Sequence, residues 1–128
     1  MEKLLIINPG STSTKIAVYD GENQLFVESI SHSADVIAKY DALVDQFDFR
    51  KDLVLEAMKE HNIKPEDLTA IVARGGLLPP IEAGAYEVNE DMVWQLRYAP
   101  QHEHASNLGA LIAYAISSKL GIKSYIYD

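Results

Sequence analysis

Apolar residues open the chain as an unbroken run, Leu4-Leu5-Ile6-Ile7, closed by Asn8-Pro9-Gly10. A continuous rather than alternating run predicts a strand buried on both faces. The polar stretch Gly10-Ser11-Thr12-Ser13-Thr14 follows as a turn. Lys15-Ile16-Ala17-Val18-Tyr19, rich in β-branched and aromatic residues, then predicts a second strand stopped by Asp20-Gly21. Leu25, Val27 and Ile30 mark a third strand within residues 24–31, so the chain opens as an antiparallel meander.

Past Ser33 the period lengthens. Leu43 with Phe47, and Val54 with Met58, share the spacing of one helix face and predict an amphipathic helical region reaching about His61, with Asp41 placed to cap a helix. Pro65-Glu66-Asp67 reads as a loop. Residues 68–73 read as a short apolar strand ending at Arg74-Gly75-Gly76, after which Pro79-Pro80 and Gly84 interrupt regular structure. A short helix is predicted over 90–98, closed by Ala99-Pro100. In the clearest helix of the chain, Leu108, Leu111, Ile112, Ala115 and Ile116 share a face, Lys119 occupies the last turn and Gly121 stops it. Residues 124–127 form a last strand, and the chain ends at Asp128 as that strand finishes. This reads either as a piece of something longer or as an edge strand that closes the chain. The order of elements predicts an α/β domain with a mixed five-stranded sheet, its first three strands antiparallel, flanked by helices.

Composition narrows the function more than the fold. The 128 residues are 48% hydrophobic, the balance of one globular domain, and leave no room for a second. Lys plus Arg number 11 against 19 Asp plus Glu, a net charge of −8. With no basic stripe, nucleic acid and anionic membrane surfaces are poor partners. There is no Cys, so disulfides and thiolate chemistry are excluded. The apolar run near the N-terminus is too short for a signal core or a membrane span, and a cytoplasmic protein is expected.

Four places could carry chemistry. Asn8-Pro9-Gly10-Ser11-Thr12-Ser13-Thr14-Lys15 combines a glycine, hydroxyls and a cation, which suits a phosphate; equally, it suits a tight hairpin whose hydroxyls satisfy backbone groups. It lacks the second glycine of a Walker A loop and leads into a strand, not a helix. Arg74, with Gly75 and Gly76 allowing close approach, suits capture of a carboxylate or phosphate, or else a surface ion pair. Gln101-His102-Glu103-His104-Ala105-Ser106-Asn107 precedes the long helix; two His and one Glu make a thin metal set, and the stretch reads either as a cap at Ser106 or Asn107 with one His facing an anion drawn to the helix N-terminus, or as a solvated loop. Asp128, at a strand tip, could hold Mg²⁺ or its waters.

Taken together these segments resemble one family. The stretch from Ile7 to Lys15, then Ser31-His32-Ser33, Arg74-Gly75-Gly76-Leu77-Leu78, Glu103-His104-Ala105-Ser106-Asn107-Leu108-Gly109-Ala110 and Tyr125-Ile126-Tyr127-Asp128 are similar to the N-terminal domain of butyrate kinases, in the same order. These belong with acetate kinases in the acetate and sugar kinase/Hsp70/actin superfamily. The resemblance implies a ribonuclease H-like, actin-like ATPase domain over 1–128. It also implies phosphoryl transfer between a small carboxylic acid or its acyl phosphate and ATP or ADP with Mg²⁺, with a second, C-terminal domain supplying the adenosine site. Carried over by position, Asn8, Gly10, Ser11, Ser13 and Lys15 match the phosphate-facing turn. Arg74 matches the arginine holding the acyl substrate or phosphoryl group, His104 the active-site histidine and Asp128 the catalytic aspartate, a candidate for indirect contact with Mg²⁺. His102 has a less secure match, because spacing in this loop differs between butyrate and acetate kinases. On this reading the chain has little activity alone and, with apolar surface near Tyr125 to Tyr127, tends to self-associate. The alternatives are another short-chain or branched-chain acid kinase, or a non-catalytic phosphate-binding or structural module.

Overall fold

A computed structural model describes residues 2–10, 12–40, 43–74, 85–88 and 107–127. Three antiparallel strands come first: β1 (Lys3–Pro9), β2 (Ser13–Asp20) and β3 (Asn23–Ser31). A one-turn helix α1 (Ala34–Ile37) and a 3₁₀ turn (Leu43–Gln46) lead into α2 (Phe47–Glu60). β4 (Ala70–Arg74), β5 (Ala85–Glu87), α3 (Asn107–Leu120) and β6 (Lys123–Tyr127) follow. The strand order is β3-β2-β1-β4-β6-β5.

The five expected strands are present, and the sheet carries a sixth. β5 has three residues and pairs antiparallel with β6 at the sheet edge. Its sequence, Ala85-Tyr86-Glu87, is too short to show a period. Pro65–Asp67, expected as a loop, is a 3₁₀ turn. The expected helix over 90–98 and the cap at Asp41 lie outside the described residues.

β1 departs from the expected double burial. Leu5 and Ile7 are fully buried, whereas Leu4, Ile6 and Asn8 are only half-buried, so the strand alternates despite its continuous apolar run. Topology gives the reason. β3, β1, β4 and β6 are mutually parallel, and the crossovers β3 to β4 and β4 to β6 advance in the same direction across the sheet. Right-handed connections therefore place α2 and α3 on the same face, where they touch each other. On that face Leu5, Ile7, Ile16, Val18, Ile71, Ala73 and Ile126 meet Val54, Met58, Leu108 and Ile112 in one core cluster. The opposite face carries a row set by the strand register, Val27, Ala17, Ile6, Val72 and Tyr125.

Both long helices end on a left-handed residue. Gly121 has φ 74° and Ile122 N–H donates to the Ser117 carbonyl at 3.0 Å; Asn62 has φ 61° and Ile63 N–H donates to the Met58 carbonyl at 2.8 Å. These are Schellman closures, with glycine and asparagine as the two residue types that take the position most easily. α3 is more deeply buried than one apolar stripe implies, since all of residues 108–113 are buried. None of the helices among the described residues is long and apolar enough to cross a membrane.

Candidate functional site

The C-terminal ends of β1, β4 and β6 lie at one edge of the sheet because the three strands are parallel, with Ile7 opposite Ala73 and Arg74 opposite Tyr127. α3 joins β6 through only Gly121 and Ile122 and so runs antiparallel to it, which puts its N-terminus toward the same edge. Ends of parallel strands in open α/β sheets are where ligands bind, since loops and helix N-termini converge there.

The β1–β2 turn occupies this edge. Asn8 pairs with Lys15 across the ladder, and Pro9 with Thr14. Asn8 and Lys15 therefore stand side by side, and both line a depression of about 260 Å³ shared with Ile6, Ala17, Tyr19 and Val27. Lys15 is exposed and Asn8 half-buried. A carboxamide and an ammonium this close present donors to an anion.

Gly10 plays a different part from the one expected. Its N–H donates to the Ser13 carbonyl at 2.7 Å, so it closes the turn and is not offered to a ligand. Its backbone is not left-handed, and among the described residues an added Cβ would meet only Ser13, with Oγ at 3.1 Å and the carbonyl oxygen at 3.6 Å. The turn is tied to the end of β3 by His32 N–H donating to the Thr12 carbonyl at 2.8 Å.

Beneath the turn lies a polar cluster that sequence reading missed. Arg50, fully buried in α2, donates through Nη1 to the carbonyls of Gly10 at 2.6 Å and Ser13 at 3.0 Å. Its Nε and Nη2 both reach Gln46 Oε1, at 3.0 and 2.9 Å. Thr14 Oγ1 lies 3.5 Å from Arg50 Nη1 and 2.9 Å from His32 Nε2. The hydroxyl accepts from Arg50 and shares a second hydrogen bond with His32, whose tautomer sets which of the two donates. Burial, and secondarily the charge of Arg50, holds the His32 imidazole below its ordinary value of 6.5, which keeps that ring neutral. Burial also lowers Arg50 from its ordinary value, yet a guanidinium stays charged in proteins. His32 meets Phe49 edge-on, with ring centroids 5.1 Å apart.

One signal for Arg50 was in the sequence. The buried positions of α2 are Arg50, Val54, Ala57 and Met58, the i, i+4, i+7, i+8 stripe, so an arginine stands where the pattern calls for an apolar residue. Such a charge in the core needs several acceptors, and carbonyls of a neighbouring turn are the natural source.

Of the other candidates, Arg74 lies at the end of β4, the strand paired with β1 and so next to the one that leads into the turn. Ser13 is half-buried at the start of β2. Ser11, His102, His104 and Asp128 lie outside the described residues, although β6 ends at Tyr127, one residue before Asp128. Among the described residues, no three His, Cys, Asp or Glu side chains come together as metal ligands.

The antiparallel meander, the two parallel crossovers and the loop-bearing edge give the chain the ribonuclease H-like, actin-like ATPase fold. Among solved structures, an acetate kinase of Porphyromonas gingivalis aligns with 99% of the chain at a TM-score of 0.58 and 14% identity, covering 37% of that protein. A propionate kinase of Francisella tularensis aligns with 99% at 0.54 and 18% identity, covering 36%. RuvC of T. thermophilus, solved with a Holliday junction substrate, aligns with 99% at 0.55 and 14% identity, covering 64%. At these identities the likeness is one of fold. No family model matches the chain. Its curated relatives are more specific: butyrate kinase 1 of Clostridium acetobutylicum is 51% identical over all 128 residues, and butyrate kinase 2 of the same organism 48% over 126. A probable butyrate kinase of Clostridium botulinum is 52% identical over 126. The chain is a homologue of the butyrate kinases, and it spans about 36% of the length of these relatives.

Proposed function

We propose that this chain is the N-terminal, phosphate-handling domain of a carboxylate phosphotransferase that passes a phosphoryl group between butanoyl phosphate and ADP, reversibly. What carries the proposal is identity of about half to butyrate kinases along the whole chain, with Asn8 and Lys15 paired at the edge where β1, β4 and β6 end.

In the acid-to-acyl-phosphate direction a carboxylate oxygen attacks the terminal phosphorus of ATP, the bond to the bridging oxygen breaks, and ADP leaves with the electron pair. The carboxylate needs no base. Catalysis rests on placing donors around a transferring group whose charge is spread over its oxygens. Lys15 and the Asn8 carboxamide supply donors from the turn, and the Ser11 and Ser13 hydroxyls are assigned to the same phosphate. Arg74 holds the acyl carboxylate or the transferring group by its planar fork. His104 donates to the same group, and Asp128 orients the substrate. Mg²⁺, when bound, neutralises phosphate oxygens in such reactions. Adenosine and the opposite wall of the cleft belong to a second domain, so the chain alone has little activity.

Titration calorimetry with inorganic phosphate at low salt tests the site. The wild-type chain is expected to bind, with Lys15→Ala and Asn8→Ala each weakening binding about threefold to tenfold, the loss of one charge-assisted contact at a partly exposed position. Absence of binding, or binding indifferent to both substitutions, overturns the assignment. Butanoyl phosphate formation by the isolated chain contradicts the need for a second domain.

A further inference from the structure

We propose that Arg50 is the positioning residue of the phosphate site, holding the β1–β2 turn in the one shape that presents donors to an anion. The inference rests on the reading of that turn as phosphate-facing.

Carbonyl oxygens repel anions, so a turn that takes phosphate must keep its carbonyls aimed elsewhere. The two carbonyls at the ends of this turn, Gly10 and Ser13, both point to a single atom, Arg50 Nη1, at 2.6 and 3.0 Å. The guanidinium cannot swing to release them, because Nε and Nη2 grip Gln46 Oε1 one helical turn back on α2. The side chain therefore acts as a rigid bracket between α2 and the turn, fixed at one end by Gln46 and closing the turn at the other. Gly10 N–H on the Ser13 carbonyl adds the last constraint. A buried guanidinium is an inefficient source of stability, since desolvation offsets much of what its hydrogen bonds return. Its place beneath this turn is accounted for by what it does to the carbonyls. A lysine there keeps the charge but has no planar fork with which to hold Gln46 and two carbonyls at once.

The test uses the full 128-residue chain as wild type, Arg50→Lys and Gln46→Leu, with two readouts. Amide hydrogen exchange at Gly10, compared with Ile71 in the core, reports the order of the turn. Titration with inorganic phosphate reports the site. Arg50→Lys is expected to speed Gly10 exchange at least tenfold more than Ile71 exchange and to weaken phosphate binding at least tenfold. Gln46→Leu, which keeps the arginine but removes the acceptor of its Nε and Nη2, is expected to weaken binding severalfold, and it decides the matter if Arg50→Lys does not fold. Unchanged phosphate affinity in the folded variants, or Gly10 exchange that rises only in step with Ile71, overturns the positioning role while wild-type binding upholds the site. Failure of the wild type to bind phosphate instead removes the functional reading, and the positioning role with it.

Discussion

Replacing Thr14 by Val exchanges a hydroxyl for a methyl at nearly constant shape, at a position with no exposed surface. No cavity opens, so the change in stability reports the hydroxyl's hydrogen bonds. The main one is the 2.9 Å contact with His32 Nε2, itself on a ring only 6% exposed. Leaving a buried imidazole nitrogen without its partner costs ~1–3 kcal/mol, and the added methyl returns up to ~0.8 kcal/mol of apolar burial. The expected net loss is ~1–2 kcal/mol, or roughly 3–8 °C in Tm for a chain of this size. With His32→Phe already in place no imidazole is orphaned, and Thr14→Val is expected to be neutral or slightly stabilising. Urea melts of the four proteins at pH 7.5, with equal m-values, yield the coupling directly. If the two substitutions add to within about 0.5 kcal/mol, the resolution expected of independent sites, then the Thr14–His32 bond carries none of the stability assigned to it.

The same ring sets an acid limb. His32 sits below its ordinary value of 6.5 in the fold, so on acidification the unfolded chain takes its proton first. Stability is therefore held above about pH 6.5 and falls as pH drops from there to the folded-state value, by at most ~1.4 kcal/mol per pH unit; melts from pH 7.5 to 5 should show His32→Phe losing less than wild type. Gly121→Ala places a Cβ at φ 74° with no atom of the described residues within 4 Å, so the loss should be the backbone term alone, about 1 kcal/mol, and a much larger loss in urea melts would refute that.

Where local pattern and tertiary environment agreed, the fold was legible. The meander is carried by short-range turns at Gly10 to Ser13 and at Gly21, and α3 by an apolar face with a glycine stop, all features of neighbouring residues. The alternation in β1 was hidden because Leu4 and Ile6 are as apolar as Leu5 and Ile7; only the placement of both helices on one face separates them. β5 left no trace because three residues hold no period, and its pairing with β6 is a long-range event. At the site, Asn8 and Lys15 could be named from turn chemistry, and the ladder puts them together. Arg50 could not be found by looking for motifs, since it lies 37 residues from Ser13 and its acceptors in the turn include the backbone carbonyls of Gly10 and Ser13, groups that every residue possesses. The irregular residue in an otherwise apolar stripe was the available clue.

The bracket between α2 and the β1–β2 turn also orders events in folding. A hairpin between β1 and β2 is local and can close early, at small loop-closure cost. Its turn cannot reach final form then, because the group that orients the Gly10 and Ser13 carbonyls arrives only when a helix 40 residues onward docks against the sheet. Strand pairing and the final shape of the turn are thus separate steps. On the proposed reading of the turn as phosphate-facing, a nascent or partly unfolded chain holds the hairpin before that turn is set, and phosphate capture would report docking of α2 where early hairpin formation would not.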